Sequence, residues 1–269
     1  MTHKINKLLG VMEQLRHPET GCPWDQNQTY ESIVPYTIEE AYEVEDAIER
    51  KDIEALKSEL GDLLFQVVFY SQIATEEGEF NFADVVDSIT KKMVKRHPHV
   101  FANETFDNSE EQTNNWETQK AEERRRRAAV EKRSMSILDD IPNNLPALIR
   151  AKKLTKRAAT VGFDWPQTDQ VVAKIDEELA EVKAEINANA SHNHLEDEIG
   201  DLLFTIANLA RHLQIDPETA LKKTNRKFID RFHFIEQEFE ANNMSFEAAD
   251  LEIMEELWQI AKTATLRTS

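Results

Sequence analysis

The spacing of apolar residues along the chain predicts helices almost throughout. The clearest stripe has apolar side chains three and four residues apart: Leu60, Leu63, Leu64, Val67 and Val68. Residues 199–207 repeat this spacing, which is typical of one face of a helix. No stretch alternates apolar and polar residues convincingly enough to predict a sheet. We therefore expect an all-α protein.

Polar residues at the ends of these stripes predict where helices begin and where they are connected. Thr37 followed by Glu40 predicts a capping box that starts a helix. Asp216 before Pro217 predicts a second start, with proline at the first helical position. The expected connections are residues 17–27, 98–108, 139–144 and 162–168. Each half of the chain is then expected to be a bundle of about four or five helices.

An internal repeat is the strongest feature of the sequence. The segment ELGDLLF at residues 59–65 recurs as EIGDLLF at 198–204, and EEAYEV at 39–44 recurs as EELAEV at 177–182. The two blocks begin 20 residues apart in the first half and 21 apart in the second. Such self-similarity predicts two tandem helical-bundle domains related by internal duplication.

The stretch between the repeats differs from both, because residues 109–133 are polar and highly charged. A solvated linker helix is the expected structure, since charge runs usually face water. A basic strip around residues 124–127 that binds an acidic partner or RNA is the alternative. We predict an N-terminal domain at 1–108, a charged helical linker at 109–140 and a C-terminal domain at 141–269.

Composition narrows the classes of function. The chain has 32 Lys and Arg against 51 Asp and Glu, a formal net charge of −19. This charge argues against stable binding to nucleic acid, which requires a basic surface. No segment is long and apolar enough to be expected to span or bind a membrane. The single cysteine, Cys22, forms no intrachain disulfide, and a cytoplasmic location is therefore predicted.

The acidic blocks indicate a metal site. Residues three and four apart share a helix face, so Glu177, Glu178 and Glu181 form one carboxylate cluster. Glu198 and Asp201 form a second pair on the next helix, which the turn formers at 187–193 would fold back against the first. Such a cluster needs a counter-charge. A solvent-exposed acidic helix face that binds no metal is the alternative, but the occurrence of the arrangement in both halves favours a metal site. Oxygen ligands favour Mg²⁺, with Mn²⁺ as a substitute.

A basic helix face follows the second acidic block. Lys223, Lys227 and Arg231 are spaced by four residues and therefore lie on one face. A solvated amphipathic helix would explain this face equally simply. Its position after a predicted metal site favours a clamp for phosphate groups.

These motifs together resemble the MazG family of nucleoside triphosphate pyrophosphohydrolases, within the all-α NTP pyrophosphatase superfamily. The pattern EExxE–ExxD occurs twice, and GCPWDxxQT (21–29), RHPHVF (96–101) and VGFDW (161–165) are also similar to that family. The resemblance implies Mg²⁺-dependent hydrolysis of NTP or dNTP to the monophosphate and pyrophosphate, with broad base specificity, by a homodimer. A narrower dUTP- or dCTP-type pyrophosphatase and a non-catalytic helical scaffold that senses metal or nucleotide are the alternatives.

The resemblance also implies roles for individual residues. The implied Mg²⁺ ligands of the second half are Glu178, Glu181, Glu198 and Asp201. Their counterparts in the first half are Glu40, Glu43, Glu59 and Asp62. The implied nucleotide contacts are Lys174, Glu177, Lys227, Arg231 and Trp258. Glu177 is our candidate for the catalytic base, because it is the member of its cluster left over from the metal ligands.

The two halves are not equivalent in their basic residues. Alignment of the repeats places Val100 where Arg231 stands, and Pro98 interrupts the helix there. We therefore predict that the second half carries most of the activity. Trp165 and Trp258 could each stack on a base or belong to a core or interface, and the sequence leaves both possibilities open.

Overall fold

The computed structural model describes residues 2–102, 108–131, 134, 136–246 and 249–265. Within these residues it contains helices and no strand, as the apolar spacing predicts. The chain divides into two compact units, Met1–Ala121 and Glu122–Ser269. The division falls within the segment predicted to be a linker, and the predicted domain limits at 108 and 141 stay a prediction.

The helices of unit 1 are α1 (Thr2–Leu15), α2 (Pro23–Gln26), α3 (Tyr30–Glu49), α4 (Ile53–Glu77), α5 (Phe82–Arg96) and α6 (Pro98–Phe101). Helix α7 (Ser109–Glu131) contains the division between the units. The remaining helices are α8 (Ala147–Ala159), α9 (Thr168–Asn187), α10 (His192–His212), α11 (Pro217–Ala241) and α12 (Leu251–Thr265). Two predicted connections therefore contain a short helix, α2 and α6, each begun by a proline.

The start of α3 corrects one prediction. Thr29 caps the helix by accepting a hydrogen bond from the backbone N–H of Ser32, whose hydroxyl accepts one from Thr29 N–H. Thr37 lies inside the helix, where its hydroxyl donates to the carbonyl of Ile33 at 3.2 Å. The capping box predicted at Thr37 was wrong, because a threonine within a helix can bond the carbonyl four residues earlier.

The predicted start at Asp216 is confirmed. Its carboxylate accepts a hydrogen bond from the backbone N–H of Thr219 at 3.0 Å, with Pro217 at the first helical position. Lys152 of α8 also donates to this carboxylate at 2.9 Å. The cap thus connects α11 to α8 as well as satisfying a free N–H of the first turn.

In unit 1, α3 and α4 pack side by side, and α1 and α5 pack against α4. The core consists of Met12, Ile33, Val68, Phe69 and Ile73. In unit 2, α9 and α10 form the corresponding hairpin; α8 and α11 pack on α10, and α12 packs on α11. The repeated sequence therefore forms the same helical hairpin in both units.

The predicted apolar stripe is only partly buried within its unit. Val68 is buried, whereas Leu60 and Leu64 of the same stripe are exposed. Ile199 and Leu203 of α10 are exposed in the same way. Each unit therefore presents an apolar helix face at the same position of the repeat. None of the described helices is long and apolar enough to span a membrane.

Candidate active site

Three carboxylates of unit 2 converge where α9 passes α10. One oxygen each of Glu178, Glu198 and Asp201 lies within 4.8 Å of the others. Glu178 is only 5% exposed, Glu198 is half-buried and Asp201 is exposed. Because α9 and α10 are joined by a short turn, residues from the two helices can face each other. The site is therefore an open acidic cluster with one buried member.

Glu181, the fourth predicted ligand, lies close enough to this cluster for the charges of the cluster to affect its pKa. Loss of contact with water raises the pKa of Glu181, and the negative charges of Glu178 and Glu198 raise the pKa further. Glu181 is not one of the three residues whose oxygens lie within 4.8 Å of one another. The arrangement favours a bound cation, which would relieve the repulsion among these groups.

Lys174 supplies a positive charge at one side of the cluster. Its ammonium group lies 2.9 Å from an oxygen of Glu177 and 2.9 Å from an oxygen of Glu178. The hydrogen bond to Glu178 and then that to Glu177 raise the pKa of Lys174 above its usual value. Glu177 itself is exposed, so its carboxylate can reach solvent.

Unit 1 contains an equivalent cluster made of Glu40, Glu43 and Glu59, whose nearest oxygens also lie within 4.8 Å of one another. Burial raises the pKa of Glu40, and the charges of Asp62 and Glu43 add to this effect. Burial likewise raises the pKa of Glu59, with further contributions from Glu43 and Asp62. Asp62 is thus near the cluster although it is not among its three closest members.

Gln66 is a part of this region that the sequence analysis did not assign. Its side chain is buried, and its Nε2 donates to Glu40 at 3.4 Å, while its Oε1 is buried without a partner among the described residues. The available signal was a polar residue interrupting an otherwise apolar run at residues 63–69. Gln66 therefore stabilises the orientation of one acidic side chain in unit 1.

Two of the residues predicted to contact nucleotide, Arg231 and Trp258, lie beside each other. The guanidinium carbon of Arg231 lies 5.4 Å from the centre of the Trp258 ring, and the centre of the Phe228 ring lies 5.1 Å from that of Trp258. The Nε of Arg231 is buried and has no hydrogen-bond partner in the described part of the chain. Lys227 is exposed on the same helix. The structure thus joins Arg231 and Trp258, and leaves Lys227 accessible to solvent.

A polar network beside α10 was also missed. Arg211 and His212 both contact the carboxylate of Asp164, and Arg211 Nε donates to Asn208 at 2.9 Å. Burial acts to raise the pKa of Asp164, but the hydrogen bonds and charges of Arg211 and His212 outweigh it and hold the pKa below its usual value. The network ties the VGFDW segment to the end of α10.

Comparison with known families decides how these clusters are classified. The model of the MazG nucleotide pyrophosphohydrolase domain matches the chain twice, over residues 28–101 and 167–234. The chain belongs to the MazG family. Each matched segment contains one of the two acidic clusters, and Trp258 lies outside both. The predicted duplication is therefore a duplication of the MazG domain.

Two of three named relatives match over nearly the whole chain, and the third matches over more than half of it. A nucleoside triphosphate pyrophosphohydrolase of Escherichia coli (strain K12) is 51% identical over 97% of both chains. The nucleoside triphosphate pyrophosphohydrolase/pyrophosphatase MazG of Thermotoga maritima is 43% identical, over 96% of this chain and 95% of its own. A nucleoside triphosphate pyrophosphohydrolase of Mycobacterium tuberculosis is 36% identical over 58% of this chain and 45% of its own.

The two MazG domains differ in the positive groups around their clusters. The repeat places Tyr36 at the position of Lys174, and Tyr36 packs edge-on against Trp24 at 5.7 Å. Val100, at the position of Arg231, is exposed on α6. Unit 1 therefore lacks a counterpart of Lys174, which contacts the carboxylates of unit 2, and a counterpart of Arg231.

Proposed function

We propose that the chain hydrolyses nucleoside triphosphates, ribo- or deoxyribo-, to the monophosphate and pyrophosphate, with broad tolerance of the base. The observation that carries this proposal is the convergence of Glu178, Glu198 and Asp201 beside Lys174 in a domain of the MazG family. A carboxylate cluster binds the divalent ion that a triphosphate carries, while a neighbouring cation binds phosphate oxygens directly.

The donor set fits Mg²⁺, with Mn²⁺ as a substitute, because it offers only carboxylate oxygens. In unit 2 the residues that would hold the ion are Glu178, Glu181, Glu198 and Asp201. In unit 1 they are Glu40, Glu43, Glu59 and Asp62. Loss of contact with water and then the charges of neighbouring carboxylates raise the pKa values of Glu181, Glu40 and Glu59, and a cation would offset both effects. A bound Mg²⁺ supplies charge neutralisation for the triphosphate and its leaving pyrophosphate.

Side chains of unit 2 bind the phosphate groups and activate the attacking water. Lys174 can exchange its carboxylate partners for phosphate oxygens, since its ammonium group lies at the surface of the cluster. Arg231 and Lys227 bind phosphate as a second positive group, with the Trp258 ring fixing the plane of the Arg231 guanidinium. Glu177 accepts a proton from the water that attacks phosphorus and orients that water.

Replacing Glu177 by glutamine is expected to lower the rate of pyrophosphate release about a hundredfold, because the amide cannot accept the proton from water. The matched control is Asp176→Asn, which makes the same chemical change at the adjacent exposed residue and should leave the rate within about twofold. Single-turnover assays of both variants measure the effect. An unchanged rate for Glu177→Gln would show that another group acts as the base.

A product assay tests the function itself. Purified chain with Mg²⁺ and each of the eight standard nucleoside triphosphates should release pyrophosphate and the monophosphate. Release of orthophosphate alone would place cleavage at the terminal bond and contradict the proposal. Activity confined to one or two deoxynucleotides would support a narrower pyrophosphatase, and binding without any product would support a nucleotide sensor.

The same proposal includes a homodimer in the cytoplasm. The exposed stripes of α4 and α10, with Leu60, Leu64, Ile199 and Leu203, are apolar surfaces of the kind that a second copy of the chain covers. Light scattering should therefore give twice the chain mass of 31.1 kDa. The single cysteine agrees with a reducing compartment.

A further inference from the structure

Unit 2 contains an apolar cavity that the reaction described above does not use. It has a volume of about 260 Å³, and its accessible surface is entirely apolar. Three aromatic side chains line it, Phe163, Trp165 and Phe204, and other parts of the wall come from Leu138, Leu154 and Asn208. An apolar cavity of about 150 Å³ is already large enough to bind benzene. This one has room for a larger planar ring system.

The cavity adjoins the acidic cluster along α10. Asp201, Phe204 and Asn208 are separated by three and four residues, so they follow one another on the same face of the helix. With a rise of 1.5 Å per residue, Phe204 lies about 4.5 Å and Asn208 about 10 Å along the helix axis from Asp201. Trp165, on another wall, lies three residues before the start of α9, which carries Glu178. The cavity therefore begins about one helical turn from the carboxylates.

The corresponding place in unit 1 is filled. The repeat aligns Asn208 with Phe69, which is 1% exposed and belongs to the core of unit 1. Phe65, the counterpart of Phe204, packs edge-on against Phe69 at 6.1 Å between ring centres. A small amide in unit 2 thus stands where unit 1 has a ring, and this difference parallels the absence of Lys174 and Arg231 equivalents from unit 1.

The walls of the cavity are held in place by a polar network. Arg211 donates through Nε to Asn208 at 2.9 Å and through Nη2 to Asp164, the residue between Phe163 and Trp165. Two walls, one on α10 and one on the VGFDW segment, are thereby connected by one guanidinium group. A cavity held open in this way is preorganised for a ligand, which lowers the entropy cost of binding.

We propose that this cavity binds the base of the nucleotide whose phosphates bind at the acidic cluster of unit 2, an inference that rests on the proposed function. The base stacks on aromatic walls, and the ribose bridges the short distance between cavity and carboxylates. Stacking on aromatic side chains is tolerant of base identity, because every base has a π-face. The cavity accordingly explains how one site can accept purine and pyrimidine nucleotides.

Two substitutions test this inference. Asn208→Phe copies the residue of unit 1 into the cavity, and Phe163→Ala removes a ring that is 80% exposed and so leaves the fold intact. Phe163→Ala is expected to lower kcat/KM for nucleoside triphosphates about tenfold to a hundredfold, the range for the loss of one stacking contact, and Asn208→Phe should lower it at least as much because the added ring fills the space of the base. Hydrolysis of inorganic triphosphate, which has no base, should be unchanged. Val161→Ala, at an exposed residue near Phe163, is the control and should behave as the unsubstituted chain.

A binding measurement separates this inference from the proposed function. Calorimetric titration with adenosine, without metal, should show binding to the unsubstituted chain and to Val161→Ala, and at least tenfold weaker binding to Phe163→Ala and Asn208→Phe. This result would support the cavity even if no pyrophosphate were released. Equal adenosine binding and equal kcat/KM in all variants would overturn it. So would a change of oligomeric state in Phe163→Ala without a change in adenosine binding, which would make the cavity an interface between copies.

Discussion

Replacing Glu198 by alanine is expected to lower the rate of pyrophosphate release about a thousandfold, equivalent to about 4 kcal/mol of transition-state stabilisation. Glu198 is half-buried and contributes one of three oxygens that lie within 4.8 Å of one another. Alanine removes that donor and leaves Glu178, Asp201 and the more distant Glu181 to hold a divalent ion. The measurement is the rate of pyrophosphate formation from a nucleoside triphosphate at saturating Mg²⁺.

Glu59→Ala is the matched control, because Glu59 occupies the same position of the repeat in unit 1. It should reduce the rate less than about threefold, since Tyr36 and Val100 stand in unit 1 where unit 2 has Lys174 and Arg231. A larger loss from Glu59→Ala than from Glu198→Ala would mean that unit 1 is the principal catalytic domain.

A second readout for the same pair is metal binding itself. Calorimetric titration of the metal with the unsubstituted chain should detect sites in both units, and each variant should lose the sites of one unit. Binding of Mg²⁺ to the folded state also raises its stability by mass action, so the rise in Tm on adding Mg²⁺ should shrink in both variants. Unaltered Mg²⁺ binding in Glu198→Ala would contradict the assignment of this cluster.

Replacing Gly21 by alanine is expected to lower the free energy of unfolding of unit 1 by about 3–4 kcal/mol. A Cβ at this position would lie 2.6 Å and 2.7 Å from backbone atoms of His17 and would also clash with the carbonyl oxygen of Leu15. Backbone atoms cannot rotate away as a side chain can. The loop is further fixed by Arg16, which donates to the Asp25 carbonyl and pairs with Glu76 at 2.7 Å. Urea denaturation measures the change.

Gly10→Ala is the control for this substitution. Gly10 lies inside α1, and a Cβ there would meet no atom within 4 Å. Alanine at Gly10 should therefore stabilise the helix by about 0.5–1 kcal/mol. If Gly21→Ala proved as stable as Gly10→Ala, the loop would have to rearrange without cost, against the tight backbone contacts seen at Gly21.

The packing of Gly21 shows that a motif typical of a family can serve folding and not chemistry. The GCPWDxxQT stretch contributed to the resemblance, yet the structure gives its glycine a packing role and its Asp25 carbonyl a role in binding Arg16. The EExxE–ExxD pattern is different, because three of its carboxylates converge on one small volume in each unit. Both motifs resemble the family, but the GCPWDxxQT stretch serves the folding of its loop, whereas the EExxE–ExxD pattern forms a candidate site.

Prediction from the sequence was most reliable for side chains on the same helix, because the helical repeat determines which of them share a face. The 3.6-residue repeat of a helix places Glu198 and Asp201 on one face whatever surrounds them, so their proximity was predictable. The start at Asp216 was predictable for the same reason, as a local cap. Thr37 shows the limit, because its motif is equally compatible with the inside of a helix that begins earlier.

The chain's residues alone were sufficient to establish the helices, the duplication and the acidic faces, because each follows from spacing over a few turns. Only the folded chain showed that Arg211 and His212 contact the carboxylate of Asp164, and that Phe69 fills in unit 1 the place that stays open beside Asn208 in unit 2. These features depend on contacts between residues far apart in sequence. Packing at such contacts is set by the shapes of several helices at once, and no local period encodes it.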